Sequence, residues 1–136
     1  MNAMEKVAWT ELTVSLAALV VVACLYPWLG NGATGAFGLL GILGFSVIFL
    51  RRRGQTVIVD ERDRDIAQRA TMLGLHGAWM TLMMTLVILV LWNSYNDRDA
   101  VSISLLNWLI WIQFAICFAV KGLVAVTAYR RQQHAS

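Results

Sequence analysis

Four long apolar blocks, each almost free of charge, constrain this chain more than any other feature of its sequence. They run over residues 7–29, 32–50, 70–92 and 101–129. A hydrocarbon core about 30 Å thick needs about 20 apolar residues in helical form, and each block meets that demand. In lipid only a helix or a closed barrel pairs all its backbone polar groups. The blocks lack the period-two alternation of barrel strands. The expectation is an all-α integral membrane four-helix bundle, one membrane domain over residues 1–136. Composition agrees, with 59% hydrophobic and only 14% charged residues, where a soluble chain carries about 25%. The first block reads as a retained span. It is longer than the about 7–15 residues of a signal core, and Glu5 offsets Lys6 at its weak charged start.

Orientation follows from the basic residues, which stay cytoplasmic. Lys6, Arg51, Arg52, Arg53, Arg62, Arg64, Arg69, Arg130 and Arg131 fall on one side, and Arg98 alone falls on the other. Both termini and the loop 51–69 are therefore expected in the cytoplasm. Tyr26, Trp28, Trp92 and Tyr95 are expected at the outer interface, and Trp9 and Tyr129 at the inner one, because their amphipathic rings prefer headgroup depth. Trp108 and Trp111, one turn apart, read as an aromatic packing face. The net charge of +3 sits in short patches beside apolar blocks, with no basic stripe of the kind nucleic acid requires. The partner implied is the lipid bilayer.

Three ionisable residues fall inside the spans, where charge is costly and calls for a reason. Glu11 lies about one turn inside the first, His76 about two turns beyond Arg69, and Lys121 about two turns before Tyr129, at about 3.6 residues per turn. All share the cytoplasmic half. Bundled helices would let Glu11 pair with Lys121, with His76 nearby. Such a cluster either fixes helix order or exchanges protons. His76 has no second ligand a turn away, so neither metal nor haem is expected. Cys24 and Cys117 read as small buried apolar side chains.

Gly35, Gly38, Gly41 and Gly44 recur at every third residue, and Gly74 and Ala78 give a small-xxx-small spacing. Such positions let helices approach closely in lipid, either within the chain or across a homodimer seam. Asn107 and Gln113 can bridge to other helices, while Ser15 and Ser46 can bond their own backbone. No phosphate loop, catalytic triad, metal-ligand pair or cleft-sized soluble domain is present. The sequence reads as non-enzymatic and without cofactor.

The loop 51–69 opens on Arg51-Arg52-Arg53-Gly54, and residues 55–59 are β-prone. Asp60 is placed to cap a helix running into the third span. Asp60–Arg64 and Asp65–Arg69 have the favourable acid-before-base i,i+4 order. The run Asp60-Glu61-Arg62-Asp63-Arg64-Asp65-Ile66-Ala67-Gln68-Arg69-Ala70 resembles the Asp-Glu-Arg-Asp…Ile…Arg-Ala signature of a family of small prokaryotic membrane proteins of unknown function. There the motif lies between the second and third spans. The resemblance implies a multipass protein of the prokaryotic inner membrane and carries no mechanism. The motif reads either as a self-paired, solvated helix extension or as a charged cytoplasmic docking handle.

Two functions are compatible with these residues. One is an accessory or regulatory subunit, acting by contact within a homo-oligomer (a dimer) or a larger membrane complex. The other is a dimeric proton-coupled exporter. In size and span count the chain is similar to the small multidrug-resistance transporters, which carry a lone membrane-embedded glutamate in the first helix, and Glu11 would then be the protonatable residue. A cationic neighbour at Lys121 argues against that role, because it holds the carboxylate ionised.

Overall fold

A computed structural model describes residues 3–46, 51–52, 55–56, 60–96 and 100–135. Three helical stretches, Met4–Leu43, Glu61–Tyr95 and Ile103–Arg131, are long and apolar enough to cross a membrane. Their apolar side chains point largely outward: Val90 and Leu91 are 66% and 65% exposed, and Met80 is 64% exposed. Such surfaces are compatible with lipid.

The first stretch is a hairpin. Helix α1 (Ala3–Leu29) ends where Pro27 removes a backbone donor and Gly30 takes a positive φ of 54°. A left-handed glycine just beyond a helix end is a common stop, because it carries no Cβ to clash. The chain then returns along α1 as a second helix, η1 (Gly30–Ser46). Here the sequence expectation of an α-helix needs correcting, since η1 is a 3-10 helix of 17 residues. A 3-10 helix makes one turn in three residues, so side chains at i and i+3 eclipse one another. Glycine at every third position removes one of the three crowded rows, and this segment has glycine at 32, 35, 38, 41 and 44. Rising about 2.0 Å per residue, η1 is about 34 Å long.

The three rows of η1 differ in surroundings as that geometry demands. Phe37, Leu40 and Leu43 are buried against Ala18 and Val22 of α1 and Ala115 further on. Gly35, Gly38 and Gly41 are exposed on another row. Residues 47–50 of the expected second span lie outside the described residues, as do Arg53, Gly54, residues 57–59 and Arg98. Arg51–Arg52 (β1) and Gln55–Thr56 (β2) form a minimal antiparallel ladder, with Arg51 opposite Thr56.

Helix α2 (Glu61–Tyr95) has 35 residues, about 52 Å at 1.5 Å per residue. It therefore outruns the hydrocarbon core. Its start is set by Asp60, whose carboxylate accepts from the Glu61 amide at 2.8 Å. Its end is closed by Asn96, whose side chain donates to the Trp92 carbonyl at 2.7 Å. Helix α3 (Ile103–Ala135) begins at Ser102, whose hydroxyl accepts from the Leu105 amide at 3.3 Å. It is the hub of the fold. Both α1 and α2 pack along it, η1 touches it more lightly, and α1 and α2 scarcely meet. One apolar cluster joins Ala8, Ile66, Ala70, Ala125, Val126 and Tyr129 at one end, and the η1 cluster occupies the other.

Candidate functional site: an intramembrane ion pair and its surroundings

Midway along the α1–α3 contact, Lys121 Nζ donates to Glu11 Oε1 at 2.6 Å, with side chains 25% and 9% exposed. Charge-assisted bonds of this length are among the stronger hydrogen bonds in proteins. The ammonium also lies 6.0 Å from the Phe118 ring centroid. One turn on, the Ser15 hydroxyl donates to the Glu11 carbonyl at 2.7 Å, satisfying itself on its own helix.

Two glycines let the helices close around this pair. A Cβ on Gly122 would lie 2.6 Å from the Leu12 amide nitrogen and 2.9 Å from its Cα. A Cβ on Gly74 would lie 2.7 Å from the Cys117 carbonyl oxygen and 3.0 Å from Lys121 Cβ. Backbone therefore meets backbone on both flanks of Lys121, at α1 and at α2. Ala78, buried near Gly74, accepts a hydrogen bond from the Gln113 side-chain amide of α3. Gly35, Gly38 and Gly41 behave differently: among the described residues an added Cβ would meet nothing within 4 Å at any of them.

His76 takes another direction from the one its depth suggests. Its Nδ1 donates to the Met72 carbonyl one turn back at 2.8 Å, and the ring lines an open groove between α2 and α3. Among the described residues it bonds its own helix rather than Glu11 or Lys121.

At the end of the bundle that carries the charged motif, the residues of that motif divide. Asp60, Glu61, Arg62, Arg64 and Asp65 are exposed and line a shallow depression with Gln68. Arg69 pairs with Asp65 at 3.1 Å, with side chains 76% and 59% exposed, so that contact contributes about 0–1 kcal/mol. Asp63 points inward. It is buried and accepts from the Tyr129 hydroxyl of α3 at 3.0 Å. Glu5 of α1 is buried as well. Arg130 lies over the Trp9 ring at 5.0 Å, within cation–π range. The motif is thus part exposed surface and part internal tie.

At the opposite end Trp108 Nε1 donates to Asn31 Oδ1 at 3.1 Å, and the Asn107 amide donates to Thr34 Oγ1 at 3.4 Å. Tyr26 meets Trp108 edge-on with centroids 5.6 Å apart, and Phe37 stacks on Trp111 at 6.3 Å. Cys24 is exposed rather than buried, and Cys117 is half-buried. Among the described residues no three His, Cys, Asp or Glu side chains converge as a metal site would require.

Sequence reasoning named Glu11, Lys121, Gly74, Ala78 and Gln113, all of which meet at the α3 hub. It passed over Gly122 and the Asp63–Tyr129 bond. The signal for Gly122 was its place beside the one lysine within a span. The signal for Asp63 was weaker, namely its i, i+3, i+7 register with Ile66 and Ala70 on the buried face of α2. Comparison with protein-family models, with curated proteins and with solved structures finds no match to this chain.

Proposed function

We propose that this chain is a non-enzymatic, four-span membrane protein with both termini cytoplasmic, working as an accessory or regulatory subunit through lateral helix contact. The observation that carries the reading is the outward glycine row of η1. Gly35, Gly38 and Gly41 leave a strip that none of the described residues covers, while the neighbouring row is buried against α1. In lipid, helices associate by close packing at such strips, and the occupant proposed is η1 of a second copy. The length of η1, about 34 Å at about 2.0 Å per residue, supports counting it as a span of its own. The basic residues beside the spans support the orientation.

The exposed half of the motif, Asp60, Glu61, Arg62, Arg64, Asp65 and Arg69, serves as the cytoplasmic handle. Exposed ion pairs contribute little affinity, so the handle supplies specificity and the helix faces supply attraction. The resemblance of this motif to that of small prokaryotic membrane proteins supports an inner-membrane home. The exporter reading is disfavoured by the Glu11–Lys121 contact at 2.6 Å, which engages the carboxylate with a partner in its own chain.

The test is site-directed cross-linking in native membranes. With Cys24 and Cys117 replaced by serine, Gly38→Cys should form an oxidised dimer, and Leu40→Cys on the buried row should not. Mass spectrometry of lysine cross-links would identify a different subunit. A protein that stays monomeric and uncross-linked at position 38, with no companion chain, would remove the basis for this function.

A further inference from the structure

The groove between α2 and α3 has a volume of about 410 Å³ and opens sideways, toward what would be lipid. Leu75, Trp79 and Leu82 of α2 and Phe114 of α3 give it apolar walls, and His76 and Gln113 are its polar members. Their hydrogen bonding is partly spent within the chain. His76 Nδ1 donates to the Met72 carbonyl, which leaves Nε2 as a lone-pair acceptor in the neutral ring. Gln113 uses its amide NH₂ on the Ala78 carbonyl, which leaves its carbonyl oxygen as a second acceptor. Both remaining groups therefore call for a donor.

The surroundings narrow the chemistry of that donor. A charged group would be poorly solvated among these walls, so the donor is neutral. A phenolic hydroxyl is a hydrogen-bond donor carried on an aromatic body. Its ring suits the faces and edges of Trp79 and Phe114. The volume falls in the range of small-molecule sites, about 300–1,000 Å³, and the lateral opening leaves room for an apolar tail. We infer that this groove binds a lipid-soluble hydroquinone, with one hydroxyl donating to His76 Nε2. The proposal concerns binding alone and does not rest on self-association through η1.

The test uses the full chain in phosphatidylcholine nanodiscs, labelled with ¹⁵N-histidine. Only two histidines are present, so His134 serves as the internal reference. The probe is a 2,3-dimethoxy-5-methyl hydroquinone with one isoprenyl unit, compared with its dimethyl ether, which has the same shape and no donor. The expected result is a saturable shift of the His76 Nε2 resonance with the hydroquinone. Loss of one hydrogen bond weakens binding by about tenfold, both for the ether and for His76→Phe. The ether comparison is made on the unaltered protein, so it stands even if the variant folds poorly. Equal affinity for the two probes would overturn the inference, as would no saturable binding of either. A shift of Nε2 that tracks protein density in the disc without probe would assign the nitrogen to a second copy and likewise overturn it.

Discussion

Removing one member of the Glu11–Lys121 pair should cost far more than removing both. The ammonium and carboxylate are 2.6 Å apart, with the glutamate side chain only 9% exposed and the lysine 25% exposed. Lys121→Met leaves a carboxylate enclosed by helices that Gly122 holds in backbone contact, so water has little room to enter. An uncompensated charge of that kind costs about 3–5 kcal/mol. Glu11→Gln is milder, because the freed lysine can extend its stem toward the headgroups. Its cost should be that of one charge-assisted bond, about 1.5–3 kcal/mol. The double variant keeps no stray charge and should lie within about 1 kcal/mol of the unaltered protein, since neutral replacements of buried pairs are often tolerated. Equilibrium unfolding in mixed dodecylmaltoside and dodecyl sulfate micelles, followed by circular dichroism, measures all four corners of this cycle. By these figures the coupling should be at least about 3.5 kcal/mol, above the about 0.5–3 kcal/mol usual for residues in contact. Single effects that add to within about 0.5 kcal/mol would mean that the pair does not hold α1 to α3. A tolerated Lys121→Met combined with an intolerant Glu11→Gln would return Glu11 to the exporter reading.

Further outcomes separate the two kinds of glycine and probe the other tie points. Gly122→Ala should destabilise by about 1–3 kcal/mol through overpacking, despite alanine's helix preference, because the added methyl meets Leu12 backbone at 2.6 Å. Gly38→Ala, with open space around it, should leave unfolding unchanged in dilute micelles, which the same titration checks. Tyr129→Phe removes the bond to Asp63 and should cost about 1.5–3 kcal/mol. Hydrogen exchange should locate the loosening in the first turns of α2. Trp108→Phe breaks the link to Asn31 and should cost about 0.6–2 kcal/mol, read as a lower midpoint in thermal unfolding.

Hydropathy made the spans legible, because lipid demands long uninterrupted apolar runs and nothing subtler. The depth of Glu11 and Lys121 could be counted in turns, and helices of known rise place equal depths side by side. The direction in which a side chain turns was less readable. His76 shares that depth, yet it bonds the Met72 carbonyl, because azimuth around α2 depends on where α3 crosses. The 3-10 form of η1 was hidden in plain view. The glycine period of three was visible, but it reads equally as a drifting stripe on an α-helix. Only the burial of Phe37, Leu40 and Leu43 at the same period distinguishes the two. In the charged motif, sequence treats Asp63 like its neighbours. Its burial follows from Tyr129, more than sixty residues away, which no local pattern encodes.

The central position of α3 has a consequence for biosynthesis. It leaves the ribosome after α1, η1 and α2, and it supplies the main contacts of α2 and shares α1 with η1. The α1–η1 hairpin can settle as soon as it is made. By contrast α2 must wait in the translocation machinery or in lipid with one flank bare, its glycine at 74 and alanine at 78 facing no neighbour. A chain stalled before residue 103 would present that flank to quality-control proteases. Completion of α3 would then be the event that converts a loose pair of hydrophobic segments into a single assembled unit.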